Sequence, residues 1–480
     1  MSLVQPDQSR TPRPLRVTLV VVVVLAAASY LAQARLPADP ASSARLRQAV
    51  TVTGIVRHLR ALDDIARESG GSRFTGTEGY RRSVEYVVGA LEAAGLEVKR
   101  EPFTFESFAE RSTTELSVVG GPRFRDGSDM RAMMYSASDR VTAPLVVVPD
   151  VTTDAAEGAA CRPGGLDGAG LQGSVVLLRP GGCLYRDQVQ NAARAGAEAV
   201  IFALAPTDRA GPPFRPTLFA SEGIDVPVVA VTDEAGRRLM EAEGSEVVIA
   251  TDVTTERALA DNVIAETEHG DDDVIMVGAH LDSVFDGPGI NDNGSGSATI
   301  LELARQIASL RTENTVRFAF WGGEELGLVG STAYVRGLSA AERDDIVAYL
   351  NFDMIGSPNF ARYVYSPDGA PAGSAEITDI FVDHFDRSTL TISELDLGGR
   401  SDHGPFIRAG IPVGGLFTGA EDRKSGAEQD LFGGDEGAPH DPCYHQACDT
   451  LDNVDRTVLD QMADAIAHVV AVLARRNDPL

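Results

Sequence analysis

The chain has 480 residues and a formal net charge of −28, with 43% hydrophobic residues. That length holds two domains and a tail. The acidic balance, with no stripe of Lys and Arg, excludes nucleic acid as a partner and suits a protein soluble outside the cell.

Arg10, Arg13 and Arg16 precede an apolar run at 17–32, and Ala32-Gln33-Ala34 supplies small residues for cleavage. This is the layout of a secretory signal peptide (1–34) cut after Ala34, with a polar spacer at 35–48. An uncleaved signal anchor is the alternative, because the run is close to the shortest that spans a bilayer. The expected localisation is extracellular in both cases, with a membrane as partner only if the segment is retained. Four cysteines, Cys161, Cys183, Cys443 and Cys448, fit an oxidising compartment. Counting leaves three pairings open, and local spacing favours 161–183 and 443–448.

After the spacer, Ile55, Leu59, Leu62 and Ile65 mark a helix, and 73–80 (RFTGTEGY) reads as a loop. Val84, Val87, Val88 and Leu91 mark a second helix closed by Gly95, and 98–105 reads as a strand. Between 130 and 253 short strands alternate with Gly and Pro turns, at 145–148, 175–178, 200–203, 228–231 and 247–250. One helix, 188–195, interrupts them. The block has no cluster of ligand-type residues, so it is expected to be an inserted, mainly β domain. From Asn262 the pattern is α/β again, with apolar strands at 274–279, 316–321, 347–352 and 413–417. The expected fold is therefore α/β, a mostly parallel central sheet covered by helices on both faces, built from 49–129 and 254–480. A final helix carries Val458, Leu459, Met462, Ile466, Val469, Val470 and Leu473, and His468 falls off that stripe toward solvent.

The chemistry sits at the strand ends. His280 and Asp282 leave the 274–279 strand on alternate positions, so both point to one side. Asp292 follows in NDNGSG. Glu324 and Glu325 come just past the next strand in WGGEELG, after two glycines that let the backbone turn tightly. Adjacent side chains diverge there, so one can bind a metal while its neighbour faces the metal's water. Asp353 ends the strand in LNFDMIG, where a buried acid must be paired, hydrogen-bonded or metal-bound. Arg400, Asp402 and His403 lie in GGRSDHGPF, and Tyr444 and His445 lie between two cysteines in DPCYHQACDT. Mixed nitrogen and oxygen ligands suit zinc, but five exceed one tetrahedral ion. Two ions sharing a bridging carboxylate use all of them, and the remaining glutamate fits a general base.

The chain resembles the secreted di-zinc aminopeptidases of the streptomycete and vibrio type over GAHLDS, GINDNGSG, WGGEELGLVGS, NFDMIG, GGRSDHGPF, GLFTGAEDRKS and DPCYHQACDT. The resemblance implies that His280 and Asp353 hold one Zn2+, Glu325 and His445 a second, and that Asp292 bridges them. It implies that Glu324 is the general base, Tyr444 an oxyanion donor, Asp282 the carboxylate that orients His280, and Arg400 a residue near the substrate's amino terminus. His403 has no ligand role in that pattern. The insert resembles the protease-associated domain through Cys161, GSVVLLRPGGC and QNAARAGAEAVIF, an element absent from the minimal streptomycete enzymes. The implied activity is hydrolysis of the amino-terminal residue from peptides with a free N-terminus, leaning to large apolar residues such as Leu. A carboxypeptidase or amidohydrolase on the same scaffold, a single-zinc cyclase, and an inactive binding homologue remain the alternatives.

Overall fold

The computed structural model describes residues 43–148, 158–204, 215–268, 270–396 and 398–476. The leader and its cleavage site lie outside the described residues. Among those described, no helix is long and apolar enough to cross a membrane.

Among the described residues, sixteen strands form two sheets. The first sheet runs in the order β1 (Glu97–Glu110), β10 (Val253–Glu266), β12 (Asn314–Trp321), β11 (Asp271–His280), β13 (Ile346–Phe352), β16 (Val413–Phe417), β14 (Tyr363–Tyr365), β15 (Ser393–Leu395). Its centre is the parallel set β12 (Asn314–Trp321), β11 (Asp271–His280), β13 (Ile346–Phe352) and β16 (Val413–Phe417). Antiparallel neighbours flank this set: β10 (Val253–Glu266) beside β12, and β14 (Tyr363–Tyr365) beside β16. The mostly parallel centre arises because these strands are apolar on both faces. Ile275, Val277 and Ala279 of β11 enter the core under the helices Val52–Glu68, Glu78–Ala93, Gly296–Ile307 and Arg456–Leu473. Val274 and Met276 alternate to the opposite core with Trp321, Tyr334, Tyr349 and Phe406. The last helix is started by Asp455, whose carboxylate accepts the N–H groups of Thr457 and Val458 at 2.8 and 2.9 Å.

The second sheet is the insert, ordered β3-β2-β9-β5-β6-β7-β8-β4. It holds β5 (Asp139–Val147), β6 (Ser174–Leu178), β7 (Ala197–Ala203), β8 (Val228–Val231) and β9 (Glu246–Thr251), with helices Tyr185–Arg194 and Asp233–Met240 packed against it. It begins earlier than residue 130. β2 (Glu115–Val118) and β3 (Arg123–Phe124) already pair into it, and β4 (Met130–Ala132) is its far edge. The chain leaves the first sheet along β1 (Glu97–Glu110) and returns along β10, which pair as one antiparallel ladder from Glu97↔Glu266 to Glu110↔Val253. Few positions in the outer half of that ladder are fully buried, so most of its residues lack the apolar period that marks a strand.

Both disulfides form as the spacing favours, Cys161–Cys183 and Cys443–Cys448. His468 does not face solvent. It is half-buried, 2.6 Å from Ser43 Oγ through Nδ1, and its ring stacks on His384 at 4.7 Å between centroids. The short helix Ser43–Ala49 packs across the last helix and covers it.

Candidate metal centre

In sequence order β11 is followed by β12 on one side and β13 on the other, so the strand order reverses at β11. Crevices at such switch points, beyond the carboxyl ends of parallel strands, are where open α/β sheets hold ligands. His280 is the last residue of β11, Asp353 follows β13 directly, and Glu324 and Glu325 follow β12 after the two glycines. Asp292 and His445 come from loops, the first ahead of helix Gly296–Ile307 and the second between β16 and the last helix.

The structure brings five of these side chains into two donor sets that share one member: His280, Asp292 and Asp353, and Asp292, Glu325 and His445. Asp292 Oδ1 lies 3.2 Å from His280 Nε2 and its Oδ2 lies 3.1 Å from His445 Nε2. Asp353 Oδ1 is 3.3 Å from the same His280 nitrogen, and Glu325 Oε2 is 3.2 Å from the same His445 nitrogen. Burial resists charge on Asp292, yet hydrogen bonds and attraction from both histidines hold its carboxyl well below the usual range. Glu324 is outside both sets. Burial first, then the Glu325, Asp353 and Asp402 charges, push its carboxyl well up, with His280 opposing.

This cluster fits metal. Six carboxylates (Asp282, Asp292, Glu324, Glu325, Asp353 and Asp402) converge on two histidines in a region mostly closed to solvent, which is costly unless cations neutralise them. Glu325 Oε1, in the second set, is buried with no hydrogen-bond partner. Burial pushes the Asp402 carboxyl up to about 7. The nitrogen-and-oxygen donor set suits zinc.

Behind the donors lies a frame that the motifs only hinted at. Asp282 sits beside His280 Nδ1, its carbonyl oxygen at 3.1 Å and its Oδ1 at 3.5 Å. Its carboxylate also accepts Thr75 Oγ1 at 3.0 Å and the Glu324 N–H at 3.3 Å, and Thr75 Oγ1 accepts the Gly323 N–H at 2.8 Å. Asp449 accepts the N–H groups of Asn291 and Asp292 at 2.8 and 3.0 Å, which aims the shared aspartate. Ser401 Oγ donates to Asp353 Oδ2 at 2.7 Å. Arg73, fully buried, donates to the carbonyls of Leu281, Pro288 and Gly289 and pins the loop after β11; burial lowers its guanidinium to about 10. Thr75, Asp449, Ser401 and Arg73 escaped the sequence reading because each acts on a distant loop. The one signal for two of them was the segment RFTGTEGY, whose first five residues form the loop and whose last three open the helix Glu78–Ala93. A Cβ on Gly296 would meet Phe352 O at 2.1 Å, so only glycine lets the helix after Asp292 start against the end of β13.

Three of the six described non-glycine residues with left-handed backbone follow donors in sequence or are one: Leu328 (φ 60), Met354 (φ 51) and His445 (φ 58). Such outliers persist where the surroundings over-determine them, often at functional sites. Tyr444 stacks on His445 at 3.8 Å between ring centroids. Arg400 stands at the rim, 73% exposed, and pairs with Glu421 at 3.0 Å. His403 is buried beside Tyr365, 5.0 Å between ring centroids, and belongs to neither donor set.

Fold and donor chemistry together define a zinc metallopeptidase, a hydrolase of the aminopeptidase class. The chain belongs to peptidase family M28, whose pattern matches residues 262–470, and residues 141–239 match the PA domain. It is 40% identical over 456 residues to a probable lipoprotein aminopeptidase, LpqL, of Mycobacterium tuberculosis, covering 92% of this chain and 88% of the relative. An aminopeptidase of Pseudomonas aeruginosa is 38% identical over 440 residues, covering 89% and 82%. Among solved structures, an aminopeptidase from Aneurinibacillus sp. strain AM-1 superposes with a TM-score of 0.74 at 27% identity, over 92% of this chain and 98% of that one. The zinc aminopeptidase BSAP from Bacillus subtilis superposes with 0.70 at 25% identity, over 90% and 97%.

Proposed function

We propose that this enzyme removes the amino-terminal residue of peptides outside the cell, using two zinc ions per chain. The observation that carries the reading is Asp292, with one carboxylate oxygen turned to each histidine. His280 and Asp353 would hold one ion, Glu325 and His445 the other, and Asp292 both. When bound, such a pair polarises the scissile carbonyl and lowers the pKa of its water toward about 7.

The chain's own residues do the rest. Glu324, next to the donors but outside both sets, takes the proton of the attacking water and returns it to the leaving amine. Asp282 holds the His280 ring and, through the Glu324 N–H, the general base. Tyr444, kept protonated by burial and the nearby Asp292, Glu421 and Glu325 charges, donates to the oxyanion. Arg400 belongs to the substrate rim. A guanidinium repels an ammonium group, so its partner Glu421, whose Oε2 is buried without a hydrogen-bond partner, is the charge that draws the peptide's amino group to this corner. The catalytic body is assigned to residues 49–110 and 253–476, with the insert between. Two disulfides and the leader-like amino terminus support export.

Metal analysis of the purified protein tests the reading. Two zinc ions per chain are expected, falling to one or none in Asp292→Asn, together with release of the first residue only from peptides with a free amino terminus. One zinc per chain in an active wild type, or equal cleavage of N-acylated peptides, would overturn it.

A further inference from the structure

The insert supplies none of the five donors, yet it touches the site in two places. The first is Leu326, next in sequence to Glu325. It is 3% exposed and buried in a core that joins Phe74, Phe103 and Phe105 of the body to Met133, Met134, Tyr135 and Leu218 of the insert. One residue on, a Cβ at Gly327 would lie 3.0 Å from the Phe219 ring, and its φ of +96 is a glycine conformation. The loop carrying the two glutamates is thus clamped from outside by the insert.

The second contact is a cavity whose lining includes Glu325 and His445. Met134, Arg215 and Thr217 form its insert side, and Phe74 and Phe285 its body side. Phe285 is 47% exposed, with its ring edge-on to Phe74 at 5.7 Å and the Arg215 guanidinium 5.6 Å from its centroid. The charges at the wall are neutralised in pairs: Arg215, 7% exposed, with Glu110 at 2.7 Å, and Arg131 with Asp286. What remains to meet a ligand is mostly ring and thioether surface, beside a donor set.

We propose that the insert is part of the substrate site. Met134 and Thr217, facing Phe74 and Phe285, form a pocket that receives an uncharged apolar side chain of the peptide next to the scissile bond. The proposal rests on the peptidase reading above and deepens it, because the inserted domain becomes a determinant of which residues are released. Selectivity in such a pocket follows its size, and each methylene gained or lost changes kcat/KM about 10-fold or more.

The experiment uses the full-length, zinc-loaded enzyme with Met134→Ala and Met134→Trp. Aminoacyl anilides with Gly, Leu or Phe vary the first residue, and Ala-Gly, Ala-Leu and Ala-Phe vary the second. In one of the two series Met134→Trp should lower the Phe-to-Gly ratio of kcat/KM at least 10-fold, chiefly through KM, and Met134→Ala should raise it. The series that responds identifies which side chain occupies the pocket. Unchanged ratios in both series, with wild-type zinc content and melting temperature, would overturn the proposal while leaving the peptidase reading intact. A wild type inert on every substrate would overturn that reading instead. Should Met134→Trp not fold, Thr217→Leu narrows the same wall and is expected to act in the same direction.

Discussion

Asp282 accepts the backbone N–H of Glu324 at 3.3 Å while lying against His280 Nδ1, so one carboxylate fixes the ring of a proposed metal donor and the backbone under the proposed base. Replacing it with asparagine removes the negative charge behind the imidazole but leaves the shape. Partners of this kind affect metal affinity or activity by 10–100-fold. Asp282→Asn should lower kcat within about that range and weaken one zinc more than the other, as read by activity during chelator titration. Equal loss of both ions would place Asp282 in general folding.

Glu324→Gln keeps the size of the side chain and removes its capacity to take a proton. We expect kcat to fall at least about 100-fold, in keeping with general-base contributions, at unchanged zinc content. Glu325→Gln should do the reverse and lose metal first. If the two variants exchange these behaviours, the roles of the adjacent glutamates are swapped.

The bridge Cys443–Cys448 spans a separation of 5 residues and encloses both Tyr444 and His445. Closing so short a loop removes only about 2 kcal/mol of unfolded-chain entropy. Its larger effect is local, because His445 is held in left-handed backbone (φ 58) that a free loop would relax. The double variant Cys443→Ser, Cys448→Ser should stay folded but lose kcat and affinity for one zinc. Full activity with two zincs would show that the bridge has no part in positioning.

His468 offers a pH test remote from the site. Its imidazole is lowered to about 4, first by burial and then by His384, Arg47 and Arg387, with Asp464 pulling the other way. An unfolded chain binds the proton below about 6.5, the folded chain only below about 4, so stability should fall as pH drops through that window. Urea midpoints at about pH 7.5 and 5.0 measure the drop, which His468→Gln should reduce. An unchanged drop in the variant would assign the acid sensitivity to other groups.

The sequence by itself determined the parallel centre of the first sheet and the chemical inventory at its rim. Strands buried on both faces read as nearly continuous apolar runs, interrupted only by Arg317 and Asn351; His280 and Asp353 stand directly after two of them, and Glu324 and Glu325 two glycines beyond a third. Periodicity also located most strands of the insert. It placed β1 only as far as Phe105 and missed its continuation to Glu110 and the partner strand β10, where few positions are fully buried, and it did not show where the chain leaves the body. Alternation likewise says which way a side chain leaves its own element, not which remote loop packs there. Thr75 reaches Asp282 across 207 positions, and Asp449 reaches the Asp292 N–H across 157. His468 read as exposed because the elements that cover it, the helix Ser43–Ala49 and His384, come from remote parts of the chain. Leu326 read as one more apolar residue in a glycine-rich turn. Only the folded chain decided that its partners are in the insert, because burial by a distant domain is set by how the two sheets pack and leaves no mark in the local pattern.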